Sequence, residues 1–232
     1  MGEEASHERR LIRAFGDLAV ELQGTSQGDA TLRVIVNAAV KIIPGVRHAG
    51  ISVVHGREVT PVVPSSDVVA QLDSLQTAMD EGPSLGALRE HRTVHIADMA
   101  ADGRWPRFTA AALDRGVKSS LSFQLFIQRG NLGALNLYAD EARVFDDEST
   151  LVGDVLAQHA SVAMAGSAAE AQFDRALASR DAIGQAKGIL MHRAQVDSLQ
   201  AFRMMLEVSQ DTNTKLTEVA ELVVADHVAS LK

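Results

Sequence analysis

The sequence predicts an α+β protein: a mainly antiparallel sheet flanked by helices, then a long coiled-coil helix, then a three-helix bundle. Three observations carry this. Short β-branched runs flank His55-Gly56, and two longer runs between residues 119 and 138 alternate with period two, the mark of strands that bury one face. From Asp147 onward no convincing strand occurs. In that region Val155, Val162, Ala169, Ala176, Ile183 and Leu190 recur at intervals of seven. That repeat suits a helix packed along its length against a partner, in the same chain or another.

The elements follow in order. Leu11, Phe15, Leu18 and Leu22 place a helix over residues 7–22, broken by residues 24–28. A second helix covers residues 30–43, with Leu32, Ile35, Val36, Ala39 and Val40 apolar, Asp29 as N-cap and Pro44-Gly45 at its end. Residues 49–54 and 59–63 form a hairpin. Helical spacing returns over residues 67–79 through Val68, Leu72 and Leu75. Glu81-Gly82-Pro83-Ser84 is a turn with a helix start beyond it. Residues 93–96 are a short strand, and residues 105–113 a helix closed near Gly116.

The clearest strands are residues 119–128 and 132–138, joined by a turn at Arg129-Gly130-Asn131. Leu121, Phe123, Leu125 and Ile127 face one way and Ser122, Gln124, Phe126 and Gln128 the other, as in a sheet covered on one side. A long helix then spans residues 147–192, or breaks near Gly166. Asp197 or Ser198 caps the next helix, which buries Leu199, Phe202, Met205 and Leu206. Asn213 or Thr214 caps the last, with Leu216, Val219, Ala220, Val223 and Val224 apolar. The domains are accordingly residues 7–166 and 167–230.

Composition bounds the function. At 46% hydrophobic and 22% charged residues over 232 positions, the chain can bury real cores, and disorder is not expected past Met1 to Ser6. Cysteine is absent, which excludes disulfides, thiolate ligands and thiol nucleophiles. MGEEASHERR lacks the apolar run of a signal peptide, and no stretch approaches a membrane span. A soluble, cytoplasmic protein is expected. The net charge of -8 argues against a bulk polycation on nucleic acid but permits a local basic patch.

Chemistry is sparse. Of eight histidines, only His91 and His95, with Asp98 beyond, approach ligand spacing. A turn and strand there would separate them, so no metal site is expected. No nucleophile has a motif around it, Asp146-Asp147-Glu148 is explained by helix capping, and no catalytic residue or cofactor is assigned. Trp105, Phe108, Phe123, Phe126 and Tyr138 are a candidate ligand pocket, with plain core as the competing reading. In the C-terminal region Arg180 and Lys187 lie seven apart, and Arg193, Arg203 and Lys215 fall near inter-helix turns. From Ser167 onward seven Lys or Arg face nine Asp or Glu, so composition leaves RNA binding and protein binding both open.

Two segments resemble known families. Residues 179–191, with the run R-x-x-I-x-x-A-K-G-I-L-M, resemble an ANTAR domain, as do Ser198-Leu199-Gln200-Ala201-Phe202, Asn213-Thr214-Lys215-Leu216 and Val219-Ala220. Leu72-Asp73-Ser74-Leu75-Gln76, Asp80-Glu81-Gly82-Pro83-Ser84 and Gly133-Ala134-Leu135-Asn136-Leu137-Tyr138 resemble a GAF sensory domain of the type fused to ANTAR modules. Many relatives carry Cys where this chain has Ser84, so thiol sensing at that position is not available to it. The resemblance implies a dimeric regulator that binds paired hairpins in nascent RNA and prevents a terminator from forming. Arg180, Lys187, Arg203 and Lys215 would then meet RNA, while Ile183, Ala186 and Leu190 shape the bundle. It also implies control by a small molecule or protein at the GAF-like domain. A dimeric signalling protein whose bundle binds another protein is the alternative.

Overall fold

The computed structural model of the chain describes the backbone of residues 2–24, 28–90, 93–126 and 132–229, and within these the side chains other than those of residues 2–11, 88–90, 126, 132, 168, 170–172 and 174–176. The side chains of Leu11, Phe126 and Ala176, together with His91, Ile127, Gln128 and the turn at residues 129–131, lie outside what is described. The chain divides into two compact units between Ser167 and Ala168.

The first unit holds one five-stranded antiparallel sheet in the order β2-β1-β5-β4-β3. Its strands are β1 (His48–His55), β2 (Glu58–Pro64), β3 (Val94–Ile96), β4 (Ser119–Phe126) and β5 (Leu132–Ala139). The two-residue loop at Gly56, φ 63°, closes the β1–β2 hairpin. Helices α1 (Gly2–Gln23) and α2 (Gly28–Ile42), and the first part of α6 (Asp147–Ala194), cover one face. Helix α1 begins earlier than its apolar stripe alone indicates. Asp29 lies in the first turn of α2 rather than at its N-cap, because Gly28 is already helical.

That first face carries the main core. Leu121, Phe123 and Leu125 of β4, and Leu135 and Leu137 of β5, pack against Ile35, Val36 and Ala39 of α2 and Leu156, Ala160 and Met164 of α6. Each large apolar side chain withdrawn from water here is worth about 1.5–3 kcal/mol. Gly153 lets α6 settle on the sheet, since a Cβ there would stand 2.3 Å from Cζ of Phe123.

The second face is covered too, contrary to the one-sided sheet expected from its polar residues. Helices α3 (Asp67–Met79), α4 (Pro83–Glu90) and α5 (Pro106–Leu113) lie over it. Ser120, Ser122 and Gln124 are therefore buried rather than solvated. Strict alternation places them on one face, but the connection from β2 to β4 brings three helices back across that face. Val69, Leu72, Phe108, Ala112, Ile96 and Tyr138 form the core there.

Helix α6 runs for 48 residues without the break considered at Gly166. The seven-residue stripe is not the face it buries in unit one. Leu156, Ala160 and Met164 are buried, whereas Val155 is half-buried and Val162 is 74% exposed. The two sets fall on opposite sides of a helix of 3.6 residues per turn.

The second unit is a three-helix bundle of the last part of α6 with α7 (Ser198–Thr212) and α8 (Leu216–Ala229). Its core is Ala186, Met205, Val219 and Ala220, joined by half-buried Ile183, Leu190, Phe202, Leu216, Val223 and Val224. Asp197 caps α7 through a full capping box with Gln200. Asn213 ends α7 in the left-handed region (φ 51°) instead of starting α8. Leu199 and Leu206, expected in the core, are exposed. Each lies about 100° or more around α7 from the Ala201–Met205 stripe that the cap orients inward.

Candidate functional site

The second face of the sheet carries an unusual density of buried polar groups. Ser52 of β1, Ser120 and Ser122 of β4, and Asn136 and Tyr138 of β5 are each fully buried. Register makes them neighbours: Ser120 pairs with Tyr138, and Ser122 with Asn136. Helix α3 adds Asp73 and Gln76, one turn apart on the face that also buries Val69 and Leu72, and α4 adds Ser84.

A connected set of hydrogen bonds orders part of this group. The Ser84 backbone N–H donates to Oε1 of Gln76 at 2.8 Å. Nε2 of Gln76 donates to Oγ of Ser84 at 3.0 Å and reaches Oδ1 of Asp73 at 3.4 Å. The Ser84 hydroxyl donates to Oδ1 of Asn136 at 3.1 Å. Oγ of Ser52 donates to Oδ2 of Asp73 at 2.5 Å. Burial pushes the Asp73 carboxyl up to about 7, against the lowering effect of its bonds to Ser52 and Gln76. Burial also raises the Tyr138 phenol, and the Asp73 charge adds to it.

Other atoms of the same patch have no partner among the described residues. These are Oγ of Ser120, Oγ of Ser122, Nδ2 of Asn136 and the Tyr138 hydroxyl. Each such buried group costs about 1–3 kcal/mol unless something meets it. The covering helices are held firmly. The Glu81 carboxylate accepts from Nε of Arg107 at 2.7 Å and from the Arg107 backbone N–H at 3.0 Å, tying the start of α4 to the start of α5. The Arg107 bond holds the Glu81 carboxyl below its ordinary range. Gly86 of α4 abuts Trp105, where a Cβ would fall 2.6 Å from the indole.

On the bundle, Arg180 and Lys187 lie two turns apart on α6, hence on one side of it. Arg180 and Arg203 are exposed, as is Lys215 in the α7–α8 turn, while Lys187 is half-buried beside Ala186. Among the described residues none of these four forms a salt bridge. Arg193, by contrast, is bound to Asp226 at 2.6 Å. A groove of about 450 Å³ between α6 and α8 is lined by Gln185, Ile189, His192, Val224 and His227.

Family profiles divide the chain at the same place as its packing. A GAF domain matches residues 26–165, and an ANTAR domain matches residues 171–224. The chain belongs to the GAF domain family and carries a C-terminal ANTAR domain. Both are regulatory modules. Solved structures share the fold of the GAF domain at low identity. The GAF domain of a phosphoenolpyruvate-protein phosphotransferase from Coxiella burnetii is 15% identical, with a TM-score of 0.53, over 70% of this chain and 96% of that one. The free methionine-R-sulfoxide reductase of Neisseria meningitidis is 15% identical, TM-score 0.52, over 72% of this chain and 93% of that one. The LuxR-family CepR2 of Burkholderia cenocepacia is 18% identical, TM-score 0.52, over 67% and 96%. No curated protein sequence matches the chain.

The four of the five aromatic residues whose side chains are described do not share one pocket. Phe123 packs under the first face with α6, whereas Phe108, Tyr138 and half-buried Trp105 belong to the second. Odd and even positions of neighbouring strands point opposite ways, so Phe123 and Tyr138 cannot line the same space. The buried polar groups at Asp73, Ser84, Ser120, Ser122 and Asn136 are the candidate instead, and their signal in the sequence is an Asp and a Gln on the apolar face of α3. His95 is exposed on β3, and among the described residues no three His, Asp or Glu gather to hold a metal ion. No helix among them is long and apolar enough to cross a membrane.

Proposed function

We propose that this protein is a cytoplasmic, non-catalytic transcription antitermination regulator, whose ANTAR bundle binds paired hairpins in nascent RNA under control of the GAF domain. The carrying observation is that Arg180, Lys187, Arg203 and Lys215 all lie within the ANTAR match, accessible and free of salt bridges among the described residues. Cations held this way can meet phosphate without first breaking a protein ion pair. Binding keeps the RNA from forming a terminator hairpin, so transcription continues. The buried polar patch of the GAF domain supports control by a small molecule there, although a protein signal would act through the same domain.

A homodimer is part of this reading. Leu151, Val162, Phe173 and Leu177 of α6 and Ile12 and Val20 of α1 are exposed apolar side chains, and water-exposed stripes on long helices are resolved by pairing. Sedimentation should give a dimer. A monomer at high protein concentration would remove pairing from the mechanism.

The decisive experiment is to sequence RNAs that co-purify with the protein and measure binding to a paired-hairpin RNA among them. Lys187→Ala should weaken that binding at unchanged helicity and lower the salt slope of log affinity by about one. Affinity and slope both unchanged would remove Lys187 from the interface. The exposed Leu199, Met204, Leu206, Val208 and Leu222 of the bundle favour a second reading, a protein partner. Co-purification of a protein with no enriched RNA would select it.

A further inference from the structure

We infer that the polar patch on the second face of the GAF sheet is a binding site for a small uncharged molecule bearing carbonyl-type acceptors, such as an amide, imide or nucleobase. This rests on the GAF domain acting as the sensory input, and it assigns the chemical class of what is sensed.

The direction of the hydrogen bonds carries the inference. A backbone N–H can only donate, so the 2.8 Å bond from Ser84 fixes oxygen Oε1 of Gln76 on that side. The Gln76 amide nitrogen must then donate to the Ser84 hydroxyl. That hydroxyl has one proton, and it goes to Oδ1 of Asn136. With its Oδ1 facing that hydroxyl, the Asn136 amide turns its nitrogen away from Ser84. Nδ2 is a buried donor with no partner among the described residues. Beside it, the unpartnered hydroxyls of Ser122, Ser120 and Tyr138 can each donate or accept.

The charge of the occupant follows. Among the described residues no Lys or Arg takes part in the patch, and Asp73 supplies its carboxyl group. A phosphate or carboxylate would be buried without a counter-charge and beside an acid, which is strongly unfavourable. An uncharged carbonyl oxygen meets the Asn136 nitrogen at no such cost. A second polar atom on the same molecule can meet the hydroxyls. Four buried polar atoms without partners among the described residues fall on one surface, where each calls for a partner.

The test uses the full chain with uracil and nicotinamide as uncharged probes, and with inorganic phosphate and AMP as anionic ones, by isothermal titration and protein-observed NMR. A saturable response to at least one uncharged probe is expected. Ser122→Ala should weaken it several-fold, and Asn136→Asp about tenfold or more. Circular dichroism checks that each variant is folded, and Ser122→Ala alone suffices if Asn136→Asp is not. Saturable binding of phosphate or AMP without the uncharged probes would overturn the ligand class while leaving a sensory GAF domain in place. No saturable response to either set would overturn the site itself. Binding that Ser122→Ala and Asn136→Asp leave unchanged would place the probe elsewhere and also overturn it.

Discussion

Asp73→Asn is expected to raise the stability of the GAF domain at neutral and alkaline pH, although it alters a fully buried, hydrogen-bonded residue. The unfolded chain releases this proton near the ordinary 3.8, whereas the folded one holds it until about 7. Between those values the native state binds more protons. Stability from this group is complete below about pH 4, falls as pH rises towards 7 and is gone above it. A rise from 3.8 to about 7 corresponds to on the order of 4 kcal/mol. Asparagine never ionises, and the Ser52 hydroxyl can turn to keep a bond with it. Urea melts at pH 5 and pH 8 check this. The wild type should lose stability between them and the variant should not. Equal losses would mean that Asp73 is ionised in the fold at little cost.

The second large effect is expected at Met205→Ala. Removing a buried Met side chain costs about 2–5 kcal/mol, and a bundle this small has little stability to lose. Met205 is one of four fully buried residues in that core. The variant should melt the ANTAR bundle at physiological temperature and abolish RNA binding, while the GAF domain keeps its own thermal transition. Calorimetry separates the two events. A single transition, lowered as a whole by Met205→Ala, would show that the two units unfold as one.

What was legible in the sequence depended on how local its signal is. The β4 and β5 alternation, the capping material at Asp197 and the run from Arg180 to Met191 are local, and they lead directly to strands, a capped helix and the ANTAR domain. The stripe on α6 was legible as a pattern but not as a contact. A helix with apolar residues on two sides does not say which side its own chain covers. Here Leu156 and Ala160 are covered, and Val162 is left outward. The buried polar patch was harder still. Ser120 and Ser122 look like solvent-facing strand residues until α3, α4 and α5 are known to close over them. Only Asp73 and Gln76, set among Val69 and Leu72 at helical spacing, hinted at a polar interior.

Helix α6 belongs to both cores: Leu156 and Ala160 anchor it in one, Ala186 in the other. Starting a helix is costly, whereas lengthening one is cheap. Domains made first on the ribosome generally fold first, so the GAF domain is expected to fix the early turns of α6 ahead of the bundle. The ANTAR bundle therefore inherits a seeded helix. Cut away near Ala168, the same sixty-odd residues would have to begin that helix unaided, so an isolated output module should fold more slowly and less stably than the one the intact chain carries.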